Sequence, residues 1–182
     1  MIHIINAAGG SEEINSIKYI GVPSERDKKW MKKDHPLITI DWKDILTPPP
    51  ENSSDTTRLE LKEIERLTRN LTNEQFDLVM TVDDEPVNLF MPYLKKHNLQ
   101  FPKELVDLAL DNLYPVWLKL KYLHKRARPF QVAPHLGVVI SVIQTSTHQT
   151  PAYPSGHQTE GALYAEILSD IYPEHKPAFY EA

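Results

Sequence analysis

Apolar positions recur at helical spacing over most of the chain from Asp55 onward. Leu61, Ile64, Leu67 and Leu71 fall three or four residues apart, with Glu60, Lys62, Glu63, Glu65 and Arg66 on the other side, which predicts an amphipathic helix capped by Ser54 or Asp55. Thr72-Asn-Glu-Gln75 has the spacing of a capping box and predicts a second helix carrying Phe76, Val79 and Met80 inward. Pro86 and Pro92 divide the next stretch, through Lys96, into short helical pieces. Pro102 suits the first position of a helix over Lys103–Leu113, which Pro115 kinks or restarts and which runs on to about Ala127. In it Leu113, Val116, Leu120, Leu123 and Ala127 form the predicted core stripe. Lys121, His124, Lys125 and Arg128 lie on a neighbouring face, and Pro129 turns Arg128 into a loop.

Downstream, Gly137–Ile143 is a short apolar run that suits a strand or a buried helix, and Gln144–Tyr153 reads as a polar loop. Ser155 and Gln158 have capping-box spacing for a helix that Pro173 ends, with Gly161, Ala162 and Ala165 as a small-residue face. Pro177–Ala182 looks like the first turn of another helix. Residues 1–55 are poorly patterned: Ile2–Ile5 and Leu37–Trp42 suit short strands or extended segments, and Pro48-Pro-Pro50 opens a stiff polar linker. The expectation is an irregular N-terminal arm over 1–55 and an all-α domain over 56–182.

Composition narrows the chemistry. A content of 41% apolar residues suffices for one core, and a net charge of −5 argues against nucleic acid as a partner. With no cysteine, disulfides, thiolate metal sites and cysteine nucleophiles are excluded. No signal peptide and no window approaching a membrane span is legible, which predicts a soluble, cytoplasmic protein.

Two stretches carry chemistry. Between residues 119 and 128 there are five basic residues and no acid, a cluster suited to an anion, with arginine offering a planar fork to phosphate oxygens. Ser155-Gly156-His157 opens a helix, where free backbone amides and a partial positive charge also favour an anion, and a histidine there can donate a proton to a leaving oxygen. His124 lies one turn from Lys121, His148 precedes the second stretch, and His3, His35, His97 and His135 have no metal-ligand spacing. Asp83-Asp84-Glu85 lacks the pattern of a calcium loop and reads as a polar helix end.

Lys121, six intervening residues, Arg128-Pro129 and then Pro154-Ser-Gly-His157 together resemble the first two signature motifs of the type 2 phosphatidic acid phosphatase (PAP2) superfamily, which includes soluble class A acid phosphatases and vanadium haloperoxidases. The resemblance covers about residues 100–182, and the Tyr153–Pro173 text is most similar to the soluble phosphatase branch. It implies a helical bundle and metal-independent phosphomonoester hydrolysis. Lys121 and Arg128 would hold phosphate oxygens, Ser155 and Gly156 would add a hydroxyl and a backbone donor, and His157 would be the general acid. It implies no cofactor, vanadate excepted for a haloperoxidase, and a small phosphorylated substrate.

The superfamily's third motif, a Ser-Arg followed by the nucleophilic histidine and an aspartate, has no counterpart. Only 25 residues follow His157, none of them in a Ser-Arg pair, and His175 in Tyr172-Pro-Glu-His-Lys-Pro177 reads as a surface histidine. The implied fold is therefore C-terminally incomplete, and the chain is expected to be marginal or a homo-oligomer because an open bundle leaves an apolar groove. Four readings stay open: a phosphatase in an extended chain, a phosphate- or vanadate-binding remnant without turnover, a vanadium haloperoxidase, and a helical interaction module in which both motifs are accidental.

Overall fold

The computed structural model describes residues 10–41, 43 and 46–182. Of the predicted extended segments, Ile2–Ile5 and Trp42 lie outside these residues; Leu37–Asp41 contains no strand. Among the described residues the chain is all-α, with helices α1 (Ser11–Ser16), α2 (Glu25–Met31), α3 (Asp55–Arg69), α4 (Asn73–Asp84), α5 (Met91–Lys96), α6 (Lys103–His124), α7 (Pro129–Val132), α8 (Gly156–Ile171) and α9 (Lys176–Glu181). None of them is long and apolar enough to cross a membrane. Single 3-10 turns occupy Pro86–Leu89, Ala133–Leu136, Ser146–Gln149 and Pro173–His175.

Local sequence sets the helix starts. The Ser54 side chain accepts from the Thr57 amide, and Thr72 and Gln75 form both bonds of the predicted capping box. At Ser155 only half of the box forms: its side chain accepts from the Gln158 amide at 3.3 Å. One core cluster joins Phe90, Leu94 and Val106 to Tyr164, Ala165 and Leu168 of α8 and Phe179 of α9. Tyr164, Ala165 and Leu168 share one face of α8, so the helix is clamped with its N-terminus held in a fixed direction.

The described part of residues 1–55 lies on the helical domain. It carries α1 and α2; Ile14 is buried with Leu61, Ala127, Val132 and Ala133, and α2 packs along α6. Buried Asn52 holds α1 through its side-chain amide, which donates to the Ile14 and Ile17 carbonyls at 2.9 and 2.8 Å. Replacing Asn52 by Ala takes its donor from the Ile17 carbonyl and leaves the Ile14 carbonyl with the Ile17 amide alone, and is expected to cost about 1–3 kcal/mol, read as a lower urea midpoint. An unchanged midpoint would mean that α1 adds nothing to stability.

Several expectations are corrected. Pro115 does not break the long helix: α6 is continuous across it, and the ring is fully buried. The helix stops at His124, short of Ala127, because Lys125 turns left-handed at φ 46° and its amide closes the last turn on the Lys121 carbonyl at 2.9 Å. Arg126 then pairs antiparallel with Lys18 and forms an ion pair with Glu60. This exit leaves Leu123, predicted for the core, 52% exposed. The Gly137–Ile143 run forms neither strand nor helix; Val138 and Ile140 pack in extended chain against the Ile14 cluster. In α4 only Val79 among the three predicted core residues is half-buried, while Phe76 and Met80 are exposed. That helix packs chiefly against the short turns at Pro86–Leu89 and Ser146–Gln149.

Candidate anion-binding site

Lys121, Arg128, Ser155, Gly156 and His157 all line one cavity of about 600 Å³. Five parts of the chain converge on it: one face of α6, Arg128 with the Ser146–Ala152 loop, the N-terminus of α8, the C-terminal end of α4, and α2 with the segment before it. On α6 the contributors are Tyr114, Trp117 and Lys121, spaced three and four residues apart and therefore stacked along one face.

Lys121 does not lie on a solvated face. It is 2% exposed, and its ammonium donates to the Pro151 carbonyl at 2.6 Å. Burial pushes its pKa down to about 7, with the nearby Arg128 charge as the second cause. Arg128, half-buried, donates from Nε to the Thr150 carbonyl at 2.7 Å, and from Nη2 to the Thr147 carbonyl and to Thr150 Oγ1. Both cations are thus tied to the carbonyls of the 147–151 loop, and they hold that loop against the cavity.

At the α8 end, Gly156 is the first helical residue and has no room for a side chain: a Cβ there would lie 2.3 Å from the Trp117 ring. The indole in turn donates to the Pro154 carbonyl at 3.3 Å. This close packing brings the amides of the first α8 turn beside Lys121, whose ammonium is 5.1 Å from the Trp117 ring centre.

His157 Nε2 lies 3.9 Å from Oδ1 of Asp83, whose side chain is 7% exposed. Oδ2 of Asp83 accepts from the Ser146 amide at 2.8 Å, whereas Oδ1 is buried without a hydrogen-bond partner among the described residues. Burial pushes this carboxyl up, but hydrogen bonds from Ser146, the charge of His157 and the Thr147 hydroxyl outweigh it and hold the pKa below the usual carboxylate value. Asp83 is thereby kept as an anion beside the imidazole. Sequence reasoning placed Asp83 in a polar helix end and missed Tyr114, Trp117 and Trp30. The shared face of Tyr114, Trp117 and Lys121 was the available signal for two of them.

The other described histidines do not line the cavity. His124 packs edge-on against Tyr153 at 5.3 Å, and burial lowers its pKa. His148 accepts the Thr145 amide at 3.3 Å and faces Phe130. His175 is half-buried rather than fully exposed: its Nδ1 is 2.9 Å from the Tyr93 hydroxyl and its ring lies near Phe179. Among the described residues His157 is the only histidine lining the cavity, and no group of three or more His, Asp or Glu side chains is arranged to hold a metal ion. No protein-family model matches the chain, and no curated protein is significantly similar to it.

Proposed function

We propose that this chain binds phosphoesters and supplies the phosphate-holding and proton-donating half of a PAP2-type phosphatase site. The observation that carries this reading is the meeting, in one cavity, of two cations from residues 121–128 with the α8 N-terminus and His157 from residues 155–157. A phosphate would exchange the loop carbonyls on Lys121 and Arg128 for its own oxygens and take further hydrogen bonds from the Ser155 hydroxyl and the Gly156 amide. Charge-assisted and bidentate bonds of this kind are stronger than the neutral acceptors they replace.

When the bond from phosphorus to the ester oxygen breaks, negative charge gathers on that oxygen. His157 gives it a proton, and Asp83 stabilises the imidazolium before transfer. The phosphoryl group must pass to a nucleophile, and no Ser-Arg…His sequence follows His157. The proposal for these 182 residues is therefore binding and acid assistance, and turnover, whether as phosphatase or haloperoxidase, requires a second histidine. The remnant reading differs only in turnover and predicts the same binding.

The test uses sulfate, a tetrahedral dianion that does not titrate near neutrality. Free Lys121 is half neutral at about pH 7, whereas bound dianion holds it as a cation, so binding takes up a proton. Sulfate affinity, by titration calorimetry, is expected to be flat below pH 7 and to fall about tenfold per pH unit above it. A Lys121→Met variant should bind weakly and lose the slope. Absence of binding at pH 6 would end the proposal.

A further inference from the structure

We infer that the preferred ligand of this cavity is a zwitterion: a phosphomonoester whose alcohol portion carries an ammonium group on a short spacer. The inference rests on the phosphate reading above and adds to it a seat for a cation.

The cavity has two chemically different ends. Beyond the phosphate cradle its wall is a row of three aromatic rings, Trp30 of α2 against Tyr114 (centres 5.2 Å apart) and Tyr114 against Trp117 (5.6 Å), all three lining the same space. Aromatic faces attract cations, and these rings already do so: in the adjoining recess the Lys33 ammonium lies 3.6 Å from the Trp30 ring centre. On α8, one turn beyond His157, Glu160 brings a carboxylate to this end, where the Tyr164 hydroxyl lies 3.5 Å from it.

The charge balance points the same way. Four carboxylates line the cavity, Asp27, Asp83, Asp84 and Glu160, against three cations, Arg26, Lys121 and Arg128. Asp83 is accounted for by His157, and Asp27 by the Ser24 amide and the Tyr122 hydroxyl; Asp84, and Glu160 whose pKa burial raises, would repel a bare dianion when ionised. An ammonium on the ligand turns that repulsion into attraction. The helix rise puts Trp117 about 6 Å, and Tyr114 about 10 Å, along α6 from Lys121. A two- or three-carbon spacer fits this reach.

The test compares choline phosphate with 3,3-dimethylbutyl phosphate, its neutral isostere, and with tetramethylammonium, by calorimetry and tryptophan fluorescence on the full chain. Choline phosphate is expected to bind about tenfold more tightly than the isostere. Trp30→Leu and Glu160→Gln should each bring that ratio towards one; a merely structural defect would weaken both esters alike and keep the ratio. Equal affinity of the two esters for the wild-type chain would overturn the inference and leave the phosphate proposal standing. Quenching by tetramethylammonium with neither ester bound would overturn the phosphate proposal, and the zwitterion with it.

Discussion

Arg128→Ala should lower sulfate affinity at least about 100-fold and lower the unfolding free energy by about 3 kcal/mol. The two losses have one origin. The guanidinium is the planar fork of the proposed cradle, and it also donates to the carbonyls of Thr147 and Thr150. Removing it leaves the half-buried Thr150 carbonyl without its donor and takes a charged donor from the Thr147 carbonyl, which keeps the Thr150 amide and hydroxyl, and a loop of polar residues is no longer held against the cavity. Arg128→Lys separates the contributions. It keeps a cation, so part of the anion affinity should return, but a point charge cannot span both carbonyls, so the stability loss should persist. Calorimetric titration and urea unfolding of the three proteins give the comparison. Wild-type sulfate affinity in the alanine variant would remove Arg128 from the site.

A second pair of variants predicts opposite signs within one helix. Gly161→Ala in α8 meets nothing within 4 Å and should stabilise by up to about 1 kcal/mol, as alanine normally does in a helix interior. Gly156→Ala should destabilise by about 1–3 kcal/mol, because its Cβ would sit 2.3 Å from Cζ2 and 2.9 Å from Cη2 of Trp117. The indole would have to turn away, losing its bond to the Pro154 carbonyl and shifting beside Lys121. Sulfate affinity should therefore drop in Gly156→Ala and stay unchanged in Gly161→Ala. Thermal melts that move in the same direction for both would show that the Trp117 contact does not constrain the α8 start.

The features that sequence reads well here are those decided within a few residues. Ser54, Thr72 and Ser155 cap helices because each needs only a backbone amide two or three positions away. Pro102 before α6 and Pro173 after α8 mark ends by the same local logic. The candidate residues are legible as types in an order, and the structure brings them to one cavity. Their environment is not. Lysine in a helix reads as solvent-facing, and Lys121 is buried only because the Pro151 carbonyl, 30 residues on, supplies an acceptor. Asp83 became a partner of His157 through the packing of α4 against the Ser146–Gln149 turn, which no short-range pattern encodes. The same holds for α2. Its capping box at Ser24 is formed by Asp27, but what matters for the cavity is that Trp30 meets Tyr114, 84 positions away.

The pairing of both site cations with carbonyls of the 147–151 loop bears on how fast a ligand can arrive. A dianion reaching the cavity does not meet naked charges; it has to exchange places with acceptors that are already bonded, and the loop has to let go before the new bonds close. Binding on those terms is a replacement reaction, so the association rate should lie well below the diffusional ceiling of roughly 10⁸–10⁹ M⁻¹s⁻¹ for a small ligand. Shortening the loop's polar grip, as Thr150→Val would do by removing its hydroxyl from Arg128, should speed arrival while leaving the charges in place.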